Sequence, residues 1–212
     1  MNRRVVVLLM AVVLSGVISP AKETGEEILK KVKDKYDTIN DAVVKFSQRT
    51  TFELSRVEHA ATGTLYLKKD NKYRVEVDGQ TIVTNGEIVW KYSPQQQQVL
   101  IDRFKMDERT FSLERVLGGT PSGFLPTLLG KERVGKSDAF VLKLTAKDED
   151  SFVQSMKLWI DDGTWLIKKA EYVDAGGTRT DYVVNDVKTN VGLDDSRFTY
   201  QIPEGAEVVD LR

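Results

Sequence analysis

Cysteine is absent from all 212 residues, and histidine occurs once, at His59. The first absence removes disulfides, thiolate nucleophiles and zinc–thiolate sites together, so stability must come from packing and strand pairing. The second leaves any Ser–His–Asp or Cys–His arrangement a single residue to use, and no G-x-S-x-G elbow accompanies it. His59 reads instead as a polar residue on an edge or loop. A phosphate cradle is missing too, because Gly118-Gly119 is not followed by Lys-Ser or Lys-Thr. The acidic pairs Asp161-Asp162 and Asp194-Asp195 lack the spaced oxygen ligands of a calcium loop and read as turns. Charge of one sign is also lacking: 31 basic side chains meet 32 acidic ones. No strongly basic face is available to neutralise nucleic-acid phosphates or to hold an anionic membrane. The composition therefore predicts neither an enzyme nor a metal protein, no cofactor and no nucleic-acid partner.

What the chain does have begins at its N-terminus. Arg3 and Arg4 precede an apolar run, Val5 to Ile18, too short to span a bilayer comfortably, and Ser19-Pro20-Ala21 places small residues at the −3 and −1 positions of a cleavage site. Residues 1–21 read as a secretory signal cut near Ala21, which implies an exported, periplasmic protein; an uncleaved N-terminal anchor is the alternative. No cysteine stands at the cut to carry acyl chains, so release as a soluble monomer is expected. Residues 22–212 suit a single domain with enough chain to bury a core or enclose a pocket.

Thr24-Gly25-Glu26-Glu27 has the spacing of a capping box, and Ile28, Val32, Tyr36 and Ile39 then recur every three to four residues. One amphipathic helix follows, whose apolar stripe has to cover something. From Asp41 the period changes to two: Leu65, Leu67 and Lys69; Tyr73, Val75 and Val77; Ile88, Trp90 and Tyr92; Phe140, Leu142 and Leu144; Met156, Leu158 and Ile160. Turn residues separate these runs, among them Asp70-Asn71, Asp78-Gly79, Asn85-Gly86 and Gly176-Gly177. About eleven short antiparallel strands are expected, giving an α+β, mainly β fold that buries one face of its sheet and must curl or be capped.

One segment departs from this pattern. From Met106 to Gly130, Asp107 to Leu117 reads as a loop or weak helix, Gly118-Gly119 as a joint, and Thr120-Pro121 as the start of a short helix with Leu125, Leu128 and Leu129 at i, i+3 and i+4. Pro126 limits that helix to a few turns. It reads either as a lid on the concave face or as a fixed connector that closes the core.

The stretch Gly63-Thr-Leu-Tyr-Leu-Lys-Lys-Asp-Asn-Lys-Tyr-Arg74, followed by Ile82-Val-Thr-Asn-Gly-Glu-Ile-Val-Trp-Lys-Tyr92, resembles the outer-membrane lipoprotein carrier (LolA) family. Phe46-Ser47-Gln48, the apolar Phe124-Leu-Pro-Thr-Leu-Leu129 and the ending Phe198-Thr-Tyr-Gln-Ile-Pro-Glu-Gly205 support it in order along the chain. The resemblance implies an unclosed antiparallel β-barrel whose apolar concave face is covered by helices acting as a lid. It also implies a role: accepting acylated lipoproteins from an inner-membrane ABC transporter, shielding their acyl chains and passing them to an outer-membrane receptor. Leu65, Leu67, Tyr73, Val75, Ile88, Trp90, Tyr92, Phe140, Leu142 and Leu144 are the candidates for the cavity wall, and Leu125, Leu128 and Leu129 for the lid.

The family commonly latches its lid with an Arg followed by Pro at the end of the strand that here holds Leu65 and Leu67; this chain has Lys69 and Asp70. Alternation puts Lys69 on the face of Leu65 and Leu67, where it would form a weaker latch than a guanidinium, or else stand as a solvated strand-end lysine. The same fold also serves in periplasmic lipoprotein-sensing modules and could carry another lipid, since an apolar cavity reads chain length poorly.

Overall fold

The fold is seen in a computed structural model that describes residues 23–53, 55–105 and 123–212. The signal-like segment 1–21 and the stretch from Met106 to Ser122, with its Gly-Gly joint, lie outside the described residues.

Helix α1, Gly25–Asp37, starts at the capping box the sequence announces: Glu27 N donates to Thr24 Oγ1 at 3.2 Å and Thr24 N donates to Glu27 Oε2 at 2.8 Å. Its stripe is fully buried at Ile28 and Val32 and flanked by Leu29, Tyr36 and Ile39. Six strands then form a meander: β1 Asp41–Phe52, β2 Val57–Lys68, β3 Lys72–Val77, β4 Gln80–Asn85, β5 Ile88–Ser93 and β6 Gln98–Arg103. Five more form a second: β7 Phe124–Val134, β8 Ser137–Ala146, β9 Val153–Asp161, β10 Ile167–Asp174 and β11 Arg179–Thr189. A 3-10 helix, Asp195–Phe198, and a last strand, β12 Glu207–Asp210, complete the chain.

The turns follow their residues. Asp78 and Gly79 both have positive φ, 50° and 75°, in the two-residue connection between paired Val77 and Gln80, the conformation that matches the twist of flanking strands. Among the described residues, all twelve strands join one sheet in the order β12-β6-β5-β4-β3-β2-β1-β11-β10-β9-β8-β7, because β1 pairs with both β2 and β11 and so fuses the two meanders. Every neighbour is antiparallel except β12, which runs parallel to β6. Twelve strands rather than about eleven appear because this four-residue strand, just past Pro203-Glu204-Gly205, is too short to show a period.

The sheet has to curl. Inward side chains from β3 across to β8 belong to one buried cluster that includes Val75, Leu65, Val44, Tyr182, Ala170, Leu158 and Leu142. The seven strands that carry them span about 30 Å when flat, whereas the 13-residue α1 is only about 20 Å long. One helix of that length leaves much of a flat face wet.

One expected element is corrected. The run holding Leu125, Leu128 and Leu129 is not a helix but the edge strand β7, which pairs with β8 from Phe124↔Ala146 to Val134↔Ser137. A short apolar run cannot be divided between helix and strand by period alone. Pro126, read as a helix limit, is equally at home on an edge strand, where no ladder donor is required of it.

On the convex side the chain after β11 is strapped down. The buried Asp41 carboxylate accepts backbone N–H bonds from Val191, Gly192 and Leu193 at 2.7 to 3.2 Å. Lys68 and Lys72 each donate to Asp195, at 2.6 and 2.8 Å, and the 3-10 helix rests on β3 and β4 with Phe198 fully buried.

Candidate functional site

The inner wall can be followed residue by residue through the strand register. Leu65 faces Val75 and Leu67 faces Tyr73; Leu142 faces Leu158 and Leu144 faces Met156. All of these, with Phe140, belong to the buried inner cluster or pack against it. Seven of the wall candidates, Leu65, Leu67, Tyr73, Val75, Phe140, Leu142 and Leu144, therefore share one apolar surface.

Ile88, Trp90 and Tyr92 do not. Val75 pairs with Ile82, which pairs with Lys91, while Tyr73 pairs with Thr84, which pairs with Val89. The inward set on β5 is thus Val89 and Lys91, and the three candidates project from the opposite face. There Trp90 lies across from Val83 and Ile101, and the Tyr92 ring meets Tyr200 of the C-terminal strap at 5.9 Å.

The lid candidates also divide. Leu128 packs against the inner cluster, while Leu125 and Leu129 stand 54% and 53% exposed on the outer face of β7. The described cover of the wall is α1: Ile28 and Val32 insert into the cluster, Gly25 lies against Pro126, and Tyr36 Oη accepts from Ile167 N at 3.3 Å. Burial pushes the Tyr36 phenol up to about 12, opposed in part by that N–H, so it stays neutral at any physiological pH. Lys31 caps the same end, its ammonium 4.5 Å from the Trp165 ring centre.

Lys69 follows the last residue of β2, with its side chain exposed and its backbone N–H on Asn40 O at 3.0 Å. The ion pairs at this strand end belong to its neighbours Lys68 and Lys72, which tie down the convex strap. His59 lies near the rim, Nε2 3.4 Å from Asp78 Oδ2, on a side chain 60% exposed. Arg74 points outward into an ion pair with Glu76 at 2.6 Å, on the rim of a polar groove of about 410 Å³ shared with Arg197 and Asp194.

Sequence reasoning missed part of the wall. Val44 and Phe46 of β1, Met156, Leu158 and Ile160 of β9, and Tyr182 and Val184 of β11 all face inward. The β9 residues carried a visible alternation; the β11 set was hidden by a bulge, where Lys45 pairs with Asp186 but Phe46 with Val184. The inner face also has polar members. Gln48 Nε2 donates to Thr50 Oγ1 at 3.1 Å, and Thr50 Oγ1 lies 3.4 Å from Thr180 Oγ1. Burial raises the Tyr172 hydroxyl, while hydrogen bonds with Thr180 and Tyr182 oppose the shift.

A family model described as outer membrane lipoprotein carrier protein LolA matches residues 37–201, from the end of α1 through the convex strap. A protein named outer-membrane lipoprotein carrier protein from Azotobacter vinelandii is 29% identical over 210 residues, covering 96% of this chain and 97% of its own. One of the same name from Pseudomonas aeruginosa is 31% identical over 170 residues, covering 78% and 79%. Among solved structures, an uncharacterized conserved protein from Thermus thermophilus superposes with a TM-score of 0.60 at 18% identity, covering 87% of this chain and 98% of that one. A putative outer membrane lipoprotein-sorting protein domain from Vibrio parahaemolyticus gives 0.50 at 16% identity, covering 82% and 96%. The two structures show likeness of fold.

Proposed function

The chain belongs to the LolA family of outer membrane lipoprotein carrier proteins, and from that premise we propose that it shelters the acyl chains of lipoproteins against its inner wall and carries them across the periplasm. The observation that carries the reading is the wall itself: Leu65, Leu142, Leu144, Leu158 and Ile160, drawn from both meanders, are fully buried on one face under an amphipathic helix. Such a surface offers acyl chains what water does not. At about 0.8 kcal/mol per methylene, three long chains cost on the order of 35 kcal/mol to release unaided into water. A soluble carrier lowers that step by supplying an apolar environment outside the bilayer.

On this reading residues 1–21 are removed near Ala21, and residues 22–212 act as one domain and as a monomer. The cargo arrives from an inner-membrane ABC transporter and leaves to an outer-membrane receptor whose cavity holds the same chains better. The role asks for no catalysis, and on this reading His59, at the rim beside Asp78, takes no chemical part. The cover is α1, with Leu128 contributing from the edge strand; Lys69, exposed just past β2, would be the weak latch the sequence suggests.

Mass spectrometry of the protein isolated from periplasm tests this. Intact mass beginning at Lys22, with co-purified acylated cysteine peptides, is the expected result. Phospholipid as the sole bound material would reject the lipoprotein cargo.

A further inference from the structure

An inner wall that existed only to pack or to hold hydrocarbon would have no use for hydroxyls, yet one end of it is polar. Two transverse rows cross the sheet side by side. One runs from Leu142 and Leu158 through Ala170 and Tyr182 to Gln48; the other runs from Leu144 and Met156 through Tyr172 and Thr180 to Thr50 and His59. On β8 and β9 both rows are apolar, and across β10, β11 and β1, Ala170 apart, they turn to hydroxyl and amide. Thr180 is 4% exposed, and valine is its isostere without an oxygen to bury. Burying a hydroxyl is disfavoured unless it is bonded, and here the bonds are mutual: Gln48 to Thr50, Thr50 to Thr180, and Thr180 to Tyr172.

We propose that Gln48, Thr50, Tyr172, Thr180 and Tyr182 form a subsite for the uncharged ester and amide head of an acylated ligand, seated at the end of the wall away from the α1 C-cap. The inference rests on the carrier reading and narrows it. A glyceryl ester or an N-acyl amide brings carbonyl acceptors into the trough with its chains, and those carbonyls go unsatisfied against leucine. Threonine and tyrosine hydroxyls and the glutamine amide can each turn a donor from a neighbour to a ligand carbonyl. The chains would then lie along β1 from Thr50 toward Ala42, about 27 Å of strand lined by Phe46 and Val44, which share a buried cluster with Ile28 and Val32 of α1.

Charge decides the class of head. Tyrosines apart, the only side chain of an ionisable type in the two rows is His59, which is exposed and beside Asp78. No lysine or arginine stands in the rows to pair with a carboxylate or a phosphate, and a buried anion without a partner is strongly disfavoured. A neutral ester and amide head fits; a free fatty acid or an anionic phospholipid does not.

The test titrates the full mature chain, and its Thr180→Val and Gln48→Leu variants, with four probes: a synthetic triacylated cysteine peptide, palmitate, phosphatidylglycerol and the headless apolar dye diphenylhexatriene. Wild-type protein is expected to prefer the triacylated peptide to palmitate and phosphatidylglycerol. Each variant is expected to weaken the peptide by about five- to tenfold, the worth of one neutral hydrogen bond, and to bind the dye unchanged. The substitutions lie on different strands, so one misfolded variant leaves the other as the test. Palmitate or phosphatidylglycerol bound as tightly as the peptide, an unchanged peptide affinity in a folded variant, or a loss shared equally by peptide and dye would overturn the subsite. Wild-type protein that takes up none of the four would instead overturn the carrier reading on which it rests.

Discussion

Gly63 is a point at which the inner wall has no room, and Gly63→Ala measures how tightly β1, β2 and β3 are packed there. Gly63 pairs with Phe46 across the β1–β2 ladder, and the Phe46 ring folds over it. A Cβ built at Gly63 would stand 2.5 Å from Phe46 Cζ, 2.9 Å from Phe46 Cε1 and 2.7 Å from the Glu76 carbonyl oxygen. Ordinary carbon contacts are about 3.5–4.0 Å, so the ring has to move by about 1 Å. It is itself 1% exposed and meets Tyr182 edge-on at 5.9 Å, so it has nowhere empty to go. Overpacking of this kind costs about 1–3 kcal/mol. The loss of glycine's unfolded-state freedom returns about 0.4–1 kcal/mol. The net is on the order of 1–2 kcal/mol, or a fall in Tm of roughly 2–8 °C for a domain this size. The assay is a double-mutant cycle with Phe46→Leu, read by thermal and urea unfolding. Replacing the ring by the shorter leucine side chain removes the two ring contacts but not the Glu76 oxygen. Gly63→Ala should therefore cost less in the Phe46→Leu background, with a coupling of about 0.5–1 kcal/mol. Additive effects, or Gly63→Ala as stable as wild type, would refute the account of the ring as the stop.

Two further outcomes follow from where side chains point. Leu125→Asp, on the exposed face of β7, should shift stability by no more than about 0.5 kcal/mol and leave capture of acylated peptide intact; Leu128→Asp, three residues on but inward, should lower both. Equal effects in a capture assay would reject the strand register of β7. In the convex strap, Lys68 and then Lys72 hydrogen-bond Asp195 and hold its carboxyl down to about 2. Its contribution is present above the ordinary carboxylate range and is lost as pH falls through about 2. The protection factors of amides over residues 194–200 should therefore hold down to about pH 4 and fall between about pH 4 and pH 2. The Lys68→Met, Lys72→Met double variant should exchange fast throughout, and protection that ignores both changes would show the strap is held elsewhere.

Local signals were legible in the sequence and relational ones were not. The capping box at Thr24 and Glu27 and the stripe Ile28, Val32 are read within neighbouring turns of one helix, and the structure has them as written. Alternation within a strand is equally local, which is why Leu65 stays with Leu67, and Leu142 with Leu144. The parity carried from one strand to the next depends on turn length. Two successive hairpins, Val77↔Gln80 and Thr84↔Val89, each swap odd for even, and the face beginning at Leu65 arrives at Val89 and Lys91 rather than at Ile88 and Trp90. Two aromatic residues in a run draw the eye to the wrong face. The polar end of the wall was invisible for a related reason: Gln48, Thr50, Tyr172 and Thr180 come from three strands and meet only once β1 closes onto β11. At β7 three leucines at helical spacing are also consistent with a strand, and what chose the strand was an antiparallel partner in β8.

The number of acyl chains a carrier accepts follows from what the chains must displace. At rest the wall is already dry, with Leu65, Leu142 and Leu144 fully buried and Ile28 and Val32 of α1 pressed into the same cluster. Withdrawing two fully buried aliphatic side chains costs about 3–6 kcal/mol, and the half-buried Leu29 and Tyr36 bring the total to on the order of 10 kcal/mol. One 16-carbon chain returns about 12 kcal/mol, close to break-even before any entropy of ordering is counted. A second and third chain add to the return without adding to the cost, because the helix has risen already and now lies over ligand instead of wall. Affinity should therefore climb steeply from mono- to di- to triacylated cysteine peptide. Val32→Ala, which loosens the cover without touching the wall, should raise the affinity of the monoacylated peptide more than that of the triacylated one. A flat series, or a Val32→Ala variant that helps all three alike, would mean that α1 is a fixed wall and that the chains enter without moving it.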